Sequence, residues 1–184
     1  WLRRALSTFS AEQPTLEALD RMAASRPAGA GGLRFYPYFS GAEYPAGYLK
    51  AEAGFAGLSL SHDAGHMARA VMEGVACQAA WMLEAFGPAP DGDLILTGGA
   101  SRSPLWTQLI ADITGRTLTL PLTPDAGCLG AASLGGVAAG LFASPAQAAA
   151  VLGGGRRRID PGPDAAHYRD VLNEYKAGAP RMVP

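Results

Sequence analysis

The sequence predicts an α/β fold with some parallel strand pairing. Three observations carry this reading. From Asp63 to Leu141 the apolar residues alternate between helical spacings of three and four and short continuous runs, in the order helix, strand, helix, strand, helix. At the centre lies Leu94 to Gly115. There an apolar run, Leu94-Ile95-Leu96, breaks at Thr97-Gly98-Gly99-Ala100 and gives way to a helical stripe of Leu105, Leu109, Ile110 and Ile113. Finally, 48% of the 184 residues are hydrophobic, enough to bury a core at a length of one domain or slightly more.

Taken in order, Trp1 to about Phe9 predicts a helix. Pro14 opens a second, Thr15 to Ser25, with Leu16, Leu19 and Met22 on one side. Leu33 to Phe39 is aromatic and extended. Pro37 places its end at a sheet edge, because proline has no N–H for a ladder. Ser40 to Gly54, interrupted by Gly41, Pro45 and Gly47, reads as loop, and Phe55 to Leu60 leads into a long helix. That helix spans about Asp63 to Phe86, with Ser61 and Asp63 suited to its first turn. Met67, Ala70, Val71, Gly74, Gln78, Trp81, Met82 and Phe86 mark its core face, and Pro88 to Gly92 ends it.

After the central strand, Ser103 fits a helix N-cap, Pro104 the first helical position and Gly115 the helix end. Thr117 to Leu120 is a short strand stopped by Pro121, and Pro124-Asp125 starts a turn. Ala126 to about Leu141 is a helix of very small residues. Each helical glycine costs about 1 kcal/mol relative to alanine, so close approach to a sheet, another helix or a flat ligand is the expected compensation. Ser144-Pro145 caps a helix running to about Leu152. Gly153 to Arg158 reads as loop, and Asp164 to Lys176 as a last helix burying Tyr168, Val171, Leu172 and Tyr175.

The net charge of −1 and a pI near 6.3 argue against a general nucleic-acid or anionic-membrane binder. No apolar run approaches the roughly 18 residues that span a bilayer, and no secretory leader opens the chain. Two cysteines without a C-x-x-C pattern predict a reduced, cytoplasmic setting, with Cys128 an inert buried thiol. The chain opens on Trp1 in mid-helix, which suggests a piece of something longer.

The strand–Gly-Gly–helix stretch is the candidate site. Residues without side chains let backbone approach a ligand, and a helix N-terminus favours an anion such as phosphate. In α/β sheets such sites lie at the carboxyl ends of strands, where Thr97 to Ala100 falls. A tight turn alone also explains the two glycines, and neither G-x-x-x-x-G-K-[ST] nor G-x-G-x-x-G is present. His62 and His66 share the i,i+4 spacing of metal ligands but lack a third ligand, so no metal site is expected. Arg156 to Arg158 reads as a solvated loop rather than a phosphate site, and Trp106 as core.

Four stretches, in collinear order, resemble the FGGY carbohydrate kinases. Gly54 to Gly74, GFAGLSLSHDAGHMARAVMEG, is similar to the family's C-terminal signature, whose positions are filled by Ala53, Phe55, Gly57, Leu58, His66, Met67, Ala70, Val71, Met72 and Glu73. LTGGASRSPLWTQLIADITG resembles its adenosine motif, CLGAASLGGVAAG its closing Gly-Ala-Ala helix, and LRFYPYFSGAEYP its strand and GERxP-like loop, with a xylulokinase-like flavour overall. The resemblance implies the ribonuclease-H-like fold of actin, hexokinase and the heat-shock ATPases, with ATP and sugar in a cleft between two domains. It implies transfer of the ATP γ-phosphoryl group to a sugar or polyol hydroxyl, with Mg2+.

On that resemblance, residues 1–184 are most of the C-terminal, nucleotide-binding domain, lacking its first strands. The catalytic aspartate, both phosphate-binding hairpins and most of the sugar site belong to an N-terminal part outside this sequence. The chain alone is then expected to be inactive, and either unstable or visibly incomplete, with an exposed sheet edge; a homodimer is a possible assembly. Gly98, Gly99 and Ala100 are expected against the α-phosphate side. Ser101 and Ser103 are expected near nucleotide hydroxyls or amine, with helix capping as an equal account of Ser103. Gln108 is a further nucleotide candidate, although it and Asp112, one turn apart, also fit a solvated helix face or a supporting position behind the site. Gly127, with Gly130 and Ala131, would let the last core helix approach the nucleotide. Glu73 is expected to anchor the fold. Ala42 and Glu43 stand where family members commonly have Glu and Arg, so the resemblance does not carry a role over to that loop, domain contacts included. The competing reading is a non-catalytic nucleotide-binding or interaction module derived from a kinase-like domain.

Overall fold

A computed structural model of the chain describes residues 1–7, 13–87, 92–122 and 125–184. Expected features at Phe9, Pro88 and Pro124 lie outside the described residues. Among the described residues, seven α-helices and five short strands follow in the order α1 (Leu2–Ser7), α2 (Leu16–Ala24), β1 (Arg34–Tyr36), β2 (Gly54–Ala56), α3 (Ala64–Ala85), β3 (Leu94–Ile95), α4 (Pro104–Thr114), β4 (Leu118–Pro121), α5 (Ala126–Ala138), α6 (Pro145–Leu152), β5 (Arg156–Ile159) and α7 (Ala165–Gly178).

The strands form two small sheets. β1 and β2 pair antiparallel, with Phe35 opposite Phe55. In the second sheet, of order β3-β4-β5, β3 runs parallel to β4 and β5 antiparallel to it. The parallel pair is joined through α4, the strand–helix–strand unit that the sequence predicts.

The local signals at the helix ends hold. Thr15 caps α2 through Ala18 N–H at 3.1 Å, and Ser144 caps α6 through Gln147 N–H at 3.2 Å. Asp63 caps α3 and also accepts from Arg26, which holds its carboxyl well below the usual carboxylate range; the His66 amide adds to this. His62 bridges Ser59 N–H and the Gly31 carbonyl, at 3.0 and 3.2 Å. Both histidines therefore serve local structure.

α3 is the central helix, and its buried face is broader than the predicted stripe. It comprises Ala68, Arg69, Ala70, Met72, Glu73, Gly74, Ala76, Cys77 and Ala80, while Met82 and Phe86 face solvent. α2, β1, α4 and α7 all pack on it. Gly74 is required there: a Cβ at that position would lie 2.0 Å from the Phe35 carbonyl oxygen. The far side of the core is filled by α7 through Tyr168, Val171, Leu172 and Tyr175, as predicted. Tyr175 stacks on Tyr36 with ring centroids 4.6 Å apart.

A buried polar hub ties these layers together. Arg69 Nε donates to Glu73 Oε1 at 2.8 Å, and its other nitrogens reach the Arg26 carbonyl at 2.9 Å and the Tyr168 hydroxyl at 2.8 Å. Glu73 Oε1 also accepts from Gly29 N–H at 3.0 Å and from the Tyr168 hydroxyl at 2.6 Å. Burial and the adjacent carboxylate push the Tyr168 phenol far above its usual value. Glu73 is thus the fold anchor that its signature position implies.

Four expectations need correction. Arg156 to Arg158 is strand, not loop: β4 offers it a ladder from Leu118 to Pro121, and three exposed arginines suit a sheet edge. Gly54 to Ala56 is likewise a strand, formed because β1 pairs with it. Leu16 faces solvent at 62% exposure, so α2 buries Leu19 and Ala23 instead. α5 stops at Ala138, three residues early, where Gly140 turns with φ 73°.

Candidate functional site

β3 delivers its chain to a turn that only glycine can make. Gly98 has φ 81° and ψ −161°, a region closed to residues with a Cβ. Gly99–Arg102 then forms one 3₁₀ turn, closed by Ser101 N–H to the Gly98 carbonyl at 3.2 Å. The Ser101 hydroxyl reinforces it, donating to the same carbonyl at 2.7 Å. Gly99 and Ala100 open this turn, so their N–H groups have no acceptor within it. A Cβ built on Gly98 or Gly99 meets nothing within 4 Å, so the backbone borders open space.

α4 starts directly after. Ser103 accepts from Trp106 N–H at 3.0 Å, Pro104 takes the first helical position, and Gly115 closes the helix with φ 64°. Trp106 is half-buried and donates its indole N–H to the Met72 carbonyl at 3.2 Å, which makes it a core residue.

Gln108 has a different environment. Its amide nitrogen donates to Asp112 at 2.8 Å and to the Asp160 carbonyl at 3.1 Å. Asp112 is buried and accepts from Gly162 N–H at 2.6 Å. Both residues therefore hold α4 to the link between β5 and α7, rather than facing solvent.

Gly127 lies in the first turn of α5. The two elements approach where Arg102, at the end of the 3₁₀ turn, comes within 3.9 Å of Asp125, the N-cap of α5. Gly127, Gly130 and Gly135 meet no neighbour that a Cβ would touch, and the outer face of α5 is exposed. Among the described residues, the close packing expected to offset these glycines occurs at Gly136, against Phe142. Cys128 is exposed on this face, not buried, because no element covers it.

The structure thus brings Gly98, Gly99, Ala100, Ser101 and Ser103 together in one turn, and sets the start of α5 with Gly127 nearby. Sequence reasoning missed Arg102 and Asp125, whose opposite charges lie 23 positions apart with no spacing signal. Among the described residues, no three His, Cys, Asp or Glu side chains converge on a metal-sized site. A cleft of about 210 Å³ lies elsewhere, between the C-terminal ends of α3 and α4 and the α7 residue Leu172. It holds none of the candidate residues.

Residues 1–139 match the model of the FGGY family of carbohydrate kinases, C-terminal domain. The chain is 32% identical over 159 residues to a gluconokinase of Bacillus licheniformis, covering 85% of this chain and 31% of that protein. It is 30% identical over 183 residues to a glycerol kinase of Verminephrobacter eiseniae, covering 96% and 35%. Among solved structures, xylulose kinase from Rhodospirillum rubrum superposes with a TM-score of 0.74 at 32% identity, over 96% of this chain and 36% of that one. Gluconate kinase from Lactobacillus acidophilus does so with a TM-score of 0.80 at 27% identity, over 99% and 38%. The chain spans about a third of the length of these relatives. The mixed α/β, ribonuclease-H-like fold expected from the sequence is the fold of these neighbours. With three-quarters of its residues inside the family match, the chain belongs to the FGGY family of carbohydrate kinases.

Proposed function

We propose that this chain is most of the C-terminal domain of an ATP-dependent carbohydrate kinase and forms the nucleotide side of its cleft. The carrying observation is the Gly98–Gly99 turn, which opens a 3₁₀ turn at the carboxyl end of a parallel strand and borders open space with bare backbone. The residues fit a nucleotide: Gly98 and Gly99 in the turn and Gly127 at the start of α5 each border open space.

Bound ATP would supply the transferable γ-phosphoryl group. In such reactions the protein contributes position and electrostatics rather than covalent chemistry. The amides of Gly99 and Ala100 would donate to phosphate oxygens. Ser101 and Ser103 hold the turn and the α4 start in place, each hydroxyl already engaged with backbone. Gly127 would leave room for the flat face of the nucleoside. Gln108 would act through α4, since its amide nitrogen is occupied by Asp112 and Asp160. Mg2+ would accompany the nucleotide in such a reaction, and among the described residues no three His, Cys, Asp or Glu side chains converge to hold it.

The acceptor would be a hydroxyl of a sugar or polyol, held by a part of the protein outside this sequence. The relatives named above act, by their names, on gluconate, glycerol and xylulose. A small, ring-opened or short-chain polyhydroxy substrate is the common chemistry, with a pentulose the first to test.

Calorimetric titration of ADP tests the reading, with Gly99→Arg as the control that fills the open space. Saturable binding that the control abolishes is the expected result. Equal binding by the Gly99→Arg chain would move the nucleotide off this turn and overturn the assignment.

A further inference from the structure

α5 and α6 form an arm that leaves the second sheet at the end of β4 and returns as β5. Its two feet adjoin: Pro121 pairs with Arg156, and Leu122 N–H donates to the Gly155 carbonyl at 3.0 Å. The arm packs on itself. A Cβ on Gly136 would lie 2.6 Å from the Phe142 ring, and Ala148 is fully buried. Its helices make their main packing contacts with each other. The arm is therefore a small body fixed at its base.

Asp125 departs from its expected chemistry. An aspartate at an N-cap ordinarily accepts from an amide of the first turn. Asp125 makes no such bond; its carboxylate faces the Arg102 guanidinium at 3.9 Å, both side chains being well exposed. We propose that Arg102 and Asp125 form a latch that sets the α5–α6 arm against the Gly98–Ser103 turn. Both are positioning residues for the two walls of the cleft, and neither binds the nucleotide. The part of this inference that concerns nucleotide affinity rests on the function proposed above; the part that concerns the arm does not.

The chain offers its own reporter. Cys128 is exposed in the first turn of α5, whereas Cys77 is buried, with its thiol pushed up to about 12 by that burial. A nitroxide therefore goes to Cys128. A second, on Glu17→Cys at the exposed start of α2, gives a distance from arm to body by pulsed electron resonance. The parent chain should give a narrow distance distribution. Arg102→Gln and Asp125→Asn should each broaden it. The double exchange Arg102→Asp with Asp125→Arg should narrow it again, and 1 M KCl should broaden the parent. ADP affinity should fall about three- to fivefold in each single variant, as for an exposed ion pair, and recover in the exchange.

An unchanged distribution in Arg102→Gln overturns the latch. So does a single-variant loss of ADP affinity that the exchange fails to restore, because Arg102 would then act on the nucleotide itself. If the distances follow the latch but the parent binds no ADP, the latch stands and the nucleotide reading falls. If the parent binds ADP and the distances do not move, the reverse holds.

Discussion

Glu73 Oε1 takes donors from three segments at once: Gly29, Arg69 and Tyr168. Its partner Arg69 is buried, so removing the carboxylate would leave a cation in low dielectric without its counter-charge. Glu73→Gln should cost about 3–5 kcal/mol of unfolding free energy, read as a lower urea midpoint; a loss under about 1 kcal/mol would refute the hub. The roles of Ser103 and Gly115 were legible in the sequence, because caps involve neighbours only a few positions away. The role of Glu73 was legible only through the family resemblance, since two of its three partners lie 44 and 95 positions away. Of the two alternatives for Gln108 and Asp112, the sequence cannot select the supporting one for the same reason: Asp160 and Gly162 reach them from 52 and 50 positions along the chain. Cys128 was misread because small residues in a helix imply burial only if something is there to bury them.

Elements with their own periodicity, α3, α4 and α7, were predicted nearly to the residue. β2 and β5 were not, because a three- or four-residue strand exists by virtue of the strand beside it, and arginine carries no strand signal. Two glycines separate packing from open space. Gly74→Ala puts a methyl into the Phe35 carbonyl and should destabilise the chain by about 1–3 kcal/mol. Gly130→Ala sits in a helix with nothing within 4 Å and should raise stability by up to about 1 kcal/mol. Thermal melts of the two variants moving in the same direction would refute this contrast. A glycine whose replacement stabilises the isolated fold is unexplained by that fold, which is what a surface kept clear for a ligand looks like.

For the whole molecule, the chain spans about a third of the length of its relatives. The purified 184-residue chain should therefore transfer no phosphoryl group to xylulose, gluconate or glycerol in an ADP-release assay, and turnover above the blank would refute this. The family match ends at residue 139, yet the core does not. Tyr168 and Tyr175 are fully buried against α3 and β1, and a hydrogen bond of the central hub spans 95 positions. That span has a consequence for synthesis. Chains emerge from the ribosome at roughly 5–20 residues per second, so Arg69 and Glu73 precede Tyr168 by several seconds at least. During that interval a nascent chain carries a charged pair and the aromatic wall of Tyr36 with nothing to close over them. The match to the family is complete before the fold can be, and a chaperone that shields α3 during the delay would find its substrate there.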